Sequence, residues 1–283
     1  MTSLSPLRYP GGKDKTYNYV KHLVMQNNIT TYIEPFAGGA AVALRLLFNG
    51  DVKKIIINDI DRSIYSLWTT ILTNKEALIN LIKKTPITMN EWYKQKEIQQ
   101  QKEFVDELSL AFSTLFLNRT NRSGIIKAGV IGGKNQEGEY KLDCRFNKDD
   151  IIRRIERIYS FKERIIICNM DAKDFIVKEI KHTRKSLTFF DPPYYLKGPD
   201  LYTNFYTHED HVELAKLIKS AMKNRYWILT YDIAEQIEKL YKKNRSTKYY
   251  LNYSIATPSK GQEFMFFAKK IDIGKVDTYL NIV

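Results

Sequence analysis

Residues 31–48 read TYIEPFAGGAAVALRLLF, and residues 52–59 read VKKIIIND. TYIEPF (31–36) has the build of a strand, and it runs through Gly38-Gly39 into AAVALRLLF (40–48), a helix. The second stretch is another strand, with three consecutive isoleucines. A continuous apolar run of that kind suits a strand covered on both faces, as in a parallel sheet. The same build recurs in RIIICNMD (164–171), SLTFFD (186–191) and YWILTYD (226–232). Between the last two lies HEDHVELAKLIKSAMKN, whose Leu214, Leu217, Ile218, Ala221 and Met222 fall on one helical face. The alternation predicts a doubly wound α/β sheet. STKYYLNYSI and EFMFFAKK, strand-like runs around TPSKGQ, predict a closing antiparallel hairpin at the C-terminal end.

The interval from Asp59 to Arg164 is too long for one crossover. Phe104, Leu108, Ala111, Phe112 and Leu115 recur at spacings of three and four, and DDIIRRIERI (149–158) again has a helical pattern. Between them, NRTNRSGIIKAGVIGGKNQEG (118–138) is glycine-rich and carries Arg119, Arg122, Lys127 and Lys134. Residues 63–163 therefore read as an inserted, mainly helical subdomain with a basic, mobile loop, and 1–62 with 164–283 as the domain that carries it. A loop that is only a solvated connection is the other reading.

Of the 283 residues, 43% are hydrophobic, which excludes a disordered or low-complexity chain. The formal net charge is +13, and a pI near 9.4 points to a polyanionic partner, nucleic acid before an anionic membrane. Cys144 and Cys168 are too few for a disulfide framework or a thiolate zinc site and read as packing residues. The first residues lack the apolar run of a signal peptide, and no stretch approaches the roughly 18 apolar residues of a membrane span. A cytoplasmic protein with no membrane association is expected.

Three short motifs carry chemistry. Asp191-Pro192-Pro193-Tyr194 ends an apolar strand, where open α/β sheets place ligands. Two successive prolines fix φ and remove two donors. The Asp191 carboxylate and the Pro192 carbonyl remain as a rigid pair of acceptors beside an aromatic ring, suited to a planar base bearing an amino group. Glu34-Pro35-Phe36-Ala37-Gly38-Gly39 forms a strand-to-helix turn whose glycines let backbone approach a ligand, and Asp59 ends the next strand about 20 residues on, where an acid meets ribose hydroxyls. Pro6-Leu7-Arg8-Tyr9-Pro10-Gly11-Gly12-Lys13 reads either as a flexible tail or as an aromatic and a lysine wrapping a carboxylate-bearing ligand. His208 and His211 lack a third ligand at metal spacing and read as the polar face of a helix start, so no metal site is expected. Lys242-Lys243-Asn244-Arg245 reads as a solvated face.

Taken in order, PGGK, EPFAGG, an inserted segment and DPPY, the chain resembles the Dam-like, D12-class family of DNA adenine-N6 methyltransferases over nearly its whole length. The resemblance implies a Rossmann-like class I methyltransferase sheet, S-adenosylmethionine as cofactor and double-stranded DNA as partner. It also implies an inserted target-recognition subdomain, action as a monomer and a separately acting cognate restriction endonuclease. It assigns cofactor contacts to Tyr9, Pro10, Gly11, Gly12 and Lys13, to Glu34, Pro35, Phe36, Ala37, Gly38 and Gly39, to Asp59 and Ile60, and to Asp171 and Asp191. Catalysis falls to Asp191, Pro192, Pro193 and Tyr194. LFLNRTNRSGI (115–125) resembles the start of the family's DNA-contacting region, which brings in Arg119, Arg122, Lys127 and Lys134. CRFNKDDI stands near where GATC-recognising members carry an FNVP-like stretch, so the resemblance does not extend to GATC specificity and leaves the recognition sequence open. On this reading, Asp191 and the Pro192 carbonyl make the amino nitrogen more tetrahedral and localise its lone pair, Tyr194 stacks on the flipped base, and the methyl is attacked in line. Amino-methylation of cytosine N4 or of RNA fits the DPPY chemistry equally, and a basic binding protein with an inactive methyltransferase fold is the rival of another class.

Overall fold

The computed structural model describes residues 4–8, 13–196, 206–253 and 259–283, without the side chains of 251–253, 259 and 260. In chain order the elements are α1 (Tyr17–Gln26), β1 (Thr31–Glu34), α2 (Ala41–Phe48), β2 (Lys54–Asn58), α3 (Arg62–Thr73), α4 (Lys75–Lys84), α5 (Met89–Gln100), α6 (Glu107–Thr120) and α7 (Lys148–Tyr159). They continue with β3 (Ile165–Cys168), α8 (Ala172–Lys178), β4 (Ser186–Phe190), α9 (His208–Ala221), β5 (Tyr226–Asp232), α10 (Glu235–Tyr241), β6 (Arg245–Tyr253) and β7 (Ser259–Phe267).

The chain divides into two compact units, one holding residues 61–163 with the described residues 4–8, the other 13–60 and 164–283. In the second unit seven strands form one sheet in the order β3-β2-β1-β4-β5-β7-β6. β3, β2, β1, β4 and β5 are parallel, and β7 runs antiparallel between β5 and β6. This is the expected α/β sheet with its closing hairpin. β4 is buried along its whole length, and Ile55, Ile56 and Ile57 of β2 are at most 5% exposed, as strands covered on both faces require. The chain leaves β1 toward β2 on one side and reaches β4 on the other, so β1 and β4 flank the switch point. Ligands of open α/β sheets bind at the carboxyl ends of such strands. The EPFAGG turn leaves β1 there, and DPPY leaves β4.

In the other unit α6 packs against α3 and α5, and α4 against α7. α6 is buried from Leu110 through Thr120, so it is the unit's central helix. Asp61, Thr88, Asp106 and Asn147 cap α3, α5, α6 and α7 through their side chains. The cap at Asp106 corrects one expectation. It starts α6 after Phe104, which lies outside the helix at 92% exposure.

Two further expectations are corrected. Residues 4–8 belong with the helical unit, not with the sheet. The Asn118 amide donates to Arg8 O (2.8 Å) and its carbonyl accepts from Arg8 N (2.7 Å). Arg119 donates through Nε to Pro6 O (2.7 Å), and Arg154 reaches Ser5 O (2.8 Å). Gly124 has φ +76°, and a Cβ there would stand 2.5 Å from Arg8 O. The basic loop, read as mobile, is braced from within. Buried Asn121 accepts from Trp92 Nε1 (2.7 Å) and donates to Ile125 O and Ile126 O, while Gln136 bonds Ile131 O, Gly133 O and Leu142 N.

Asn118 is 1% exposed and also donates to Gly124 O, so its loss orphans several buried backbone groups. Asn118→Ala is expected to destabilise the protein by about 1–3 kcal/mol, read as a lowered denaturant midpoint by Trp fluorescence at unchanged far-UV circular dichroism.

Candidate active site

At the end of β1 the turn is built from backbone. Buried Asn58, the last residue of β2, donates to Pro35 O and Met170 O (both 3.0 Å) and accepts from Met170 N, tying the turns after β1 and β3 together. Ala37 N donates to Asn58 O (2.9 Å), and Gly38 N to Asp59 Oδ2 (2.9 Å). Gly38 has φ +46°, where glycine costs least, and Ala40 adopts the same φ at the start of α2. Ala40, ahead of α2, offers no side-chain cap, and the Ala43 amide in the first turn of the helix bonds the Glu34 side chain instead. Glu34 is 8% exposed, and burial, with the Asp191 charge adding to it, pushes its carboxyl up to about 8.

At the end of β4 the side chains form a buried ionic network. The Lys13 ammonium, 6% exposed, lies 2.9 Å from Asp191 Oδ1 and 3.4 Å from Glu263 Oε1. It also donates to Tyr194 Oη (3.1 Å). The Thr230 hydroxyl donates to Asp191 Oδ1 (2.7 Å), so both described contacts of that carboxylate fall on one oxygen. Glu263, fully buried, accepts from the Tyr194 hydroxyl (2.5 Å) on Oε1 and from the Tyr249 hydroxyl (2.6 Å) on Oε2. Asp232 uses both oxygens on the backbone after the motif, accepting from Tyr195 N (2.8 Å) and Leu196 N (2.9 Å). Burial raises the Asp191 pKa, Lys13 opposes that rise, and the Glu263 charge adds to it.

The structure thus brings Lys13, Glu34 to Gly39, Asp59 and Asp191 to Tyr194 to adjacent strand ends. Pro192 and Pro193 are buried behind Asp191, and Ile60 is 45% exposed. Tyr9, Pro10, Gly11 and Gly12 lie outside the described residues. Asp171 caps α8, accepting from Lys173 N (2.8 Å). Phe36 meets Tyr206 edge-on at 5.8 Å. The ring of Tyr194 is not the open stacking face expected. It is 3% exposed, and its hydroxyl is held by Glu263 and Lys13.

Arg119 is not a surface cation. It is 6% exposed with its guanidinium committed to Pro6 O, and burial, with Arg154 and Arg8 nearby, lowers its pKa to about 10. Arg122, Lys127 and Lys134 are exposed on the helical unit. His211 is not on a polar face. It is 1% exposed, bonds the Tyr231 hydroxyl through Nδ1 (2.8 Å), and burial lowers its pKa to about 4. His208 Nδ1 meets the Tyr195 hydroxyl at 3.1 Å. Among the described residues no three His, Cys, Asp or Glu side chains group as metal ligands. Cys144 is exposed rather than packed, and Cys168 is half-buried. No helix of the described residues is long and apolar enough to cross a membrane.

Thr230, Asp232, Tyr249 and Glu263 escaped the sequence reading. Their one signal was a lone acid inside the aromatic strand run GQEFMFF, and a polar pair closing YWILTYD.

A sheet ordered 3-2-1-4-5-7-6 with only β7 antiparallel, a glycine turn after β1, an acid after β2 and an acidic motif after β4 define a Rossmann-like methyltransferase. The sequence profile of the D12 class N6 adenine-specific DNA methyltransferases matches residues 9–257, and the chain belongs to that family. Type II methyltransferase M.MjaIII of Methanocaldococcus jannaschii is 25% identical over 237 residues, covering 77% of this chain and 80% of that protein. Type II methyltransferase M.CviBI of Paramecium bursaria Chlorella virus NC1A is 25% identical over 248 residues, covering 87% and 90%. The family makes the reaction methylation of adenine N6 in DNA and implies S-adenosylmethionine as the donor.

Glu34 yields a pH signature. Unfolded, it ionises near the ordinary glutamate value of 4.5; folded, it holds its proton to about 8. The unfolded chain therefore binds fewer protons between those values, and stability present below 4.5 is lost as pH rises toward 8. Urea midpoints at pH 5 and pH 8 are expected to differ less in Glu34→Gln than in the unmodified protein.

Proposed function

We propose that this protein is a site-specific methyltransferase acting on adenine flipped from duplex DNA, with S-adenosylmethionine held at the carboxyl ends of β1, β2 and β3. The donor set fits that cofactor: a glycine turn with positive φ, and the buried Asp59 beside the turn as acceptor for ribose hydroxyls. Glu34 to Gly39, Asp59, Ile60 and Asp171 would line it, with Lys13 on the same unit. When bound, it supplies a sulfonium-activated methyl group.

The observation that carries the reading is Asp191. Lys13 and Thr230 both occupy Oδ1, which turns Oδ2 toward the substrate as the acceptor for one N6 proton. The Pro192 carbonyl takes the other. These bonds localise the nitrogen lone pair and fix its direction, which is catalysis by positioning and electrostatics. N6 gains the methyl and loses one proton, for which Asp191 is the adjacent acceptor. Extruding the base costs a few kcal/mol. Phosphate contacts from exposed Arg122, Lys127 and Lys134 offset that cost. The Type II relatives favour a restriction–modification role, with the endonuclease a separate protein and the methyltransferase working as a cytoplasmic monomer.

The test is mass spectrometry of nucleosides from DNA incubated with protein and S-adenosylmethionine. N6-methyladenine is expected from the unmodified protein and at least about 10³-fold less from folded Asp191→Ala. N4-methylcytosine instead, or near-normal turnover by Asp191→Ala, sinks the reading. Asp59→Ala is expected to weaken S-adenosylmethionine binding about tenfold or more by calorimetry while leaving DNA affinity in place; unchanged affinity for the cofactor removes the ribose assignment.

A further inference from the structure

We infer that Glu263 is a positioning residue for methyl transfer, fixing Lys13 between two carboxylates so that the cluster around the reacting amino group keeps one net negative charge. This rests on the reading above that Asp191 receives the amino group. Positive charge develops on N6 as its lone pair takes up the methyl, before a proton leaves. An Asp191–Lys13 pair alone is neutral and gives that charge little stabilisation. Glu263, 3.4 Å from the same ammonium, restores a net charge of minus one. It also anchors the Tyr194 hydroxyl.

The fold supports this placement. Glu263 of β7 lies opposite Asp232 of β5 and Tyr249 of β6 in the strand register, so the three share one face of the sheet. A fully buried acid in an otherwise aromatic strand carries a desolvation cost that stability alone does not explain. The groups that face Asp191 come from every neighbouring element: Lys13 ahead of α1, Tyr32 and Glu34 on β1, Tyr194 beyond β4, Thr230 and Tyr231 on β5, Tyr249 on β6 and Glu263 on β7. Of these, Lys13 lowers and Glu263 raises the Asp191 pKa.

Glu263→Gln preserves shape and removes the charge. Its kcat is expected to fall about 10- to 100-fold with KM for DNA and for S-adenosylmethionine within about twofold. The acid limb of its kcat–pH profile is expected to move to lower pH, because Asp191 loses the negative neighbour that raised its pKa. A role confined to packing lowers kcat at every pH and leaves the limb in place, and that result overturns the inference. Lys13→Gln/Glu263→Gln restores the net charge and leaves no buried ammonium uncompensated, so it tests the idea even if the single variant does not fold. Its acid limb is expected back near the unmodified position, with about tenfold recovery of kcat over Glu263→Gln where that folds. A displaced limb, or losses that simply multiply, speaks against the charge argument. The Asp191 carboxyl titration, followed by ¹³C NMR without substrates, separates this from the functional reading. A midpoint lower in Glu263→Gln than in the unmodified protein supports the cluster whatever the substrate, and an unmoved midpoint overturns it. Absence of any methyl transfer to adenine by the unmodified protein overturns the functional reading instead.

Discussion

An ammonium at 6% exposure has lost nearly all of its hydration, and protein oxygens must replace it. Lys13 finds them in Asp191 and Tyr194 of the DPPY motif and in Glu263 of β7, two places far apart in the chain and both far from Lys13. That requirement constrains the whole carboxyl edge of the sheet. β4 must end so that Asp191 reaches the ammonium, and β7 must pair with β5 and β6 in the one register that puts Glu263 on the same face. A slip of one residue would turn Glu263 to the other face and strand a buried cation. Removing one member of such a group costs about 3–5 kcal/mol where no partner replaces it. The site's geometry and the sheet's register are therefore one constraint seen from two ends.

The turns at the strand ends follow the same logic with backbone groups. Asp232 bonds two successive N–H groups after the DPPY motif, and Asn58 ties the turns that follow β1 and β3. Each supplies partners to main-chain atoms that prolines and positive-φ residues leave outside any ladder. Asp191 thus sits between a buried strand and a turn whose backbone is held by Asp232, which suits the role proposed for it, placing a nitrogen rather than strong acid or base chemistry.

How much of this was legible follows from the distance over which each feature is encoded. The strands, the glycine turn, the acid after β2 and DPPY are written in contiguous residues, so patterns of period and punctuation reveal them. Glu263 and Thr230 acquire meaning only through Lys13 and Asp191, partners tens to hundreds of residues away. A single sequence shows them as one acid and one hydroxyl inside apolar runs. Arg119 illustrates the converse error. Composition counts it among the loop's cations, yet its place at the end of α6 points it at the carbonyls of Ser5 and Pro6, which attach the N-terminal residues to the helical unit. Phe104 shared the spacing of α6, and only the cap at Asp106 puts it outside.

The charge distribution argues the same division of labour. The chain carries a net +13, but the described site at the carboxyl edge is lined by the acids Asp59, Asp191, Asp232 and Glu263, with Lys13 enclosed among them, while Glu34 holds its proton to about 8 and adds no charge at neutral pH. A sulfonium donor and a nitrogen that becomes cationic during transfer need negative surroundings, whereas the phosphates of a duplex need positive ones. One surface cannot serve both. On the function proposed above, acids of the sheet unit serve the reacting nitrogen and the exposed Arg122, Lys127 and Lys134 of the helical unit serve the phosphates, which places the two fields on different elements.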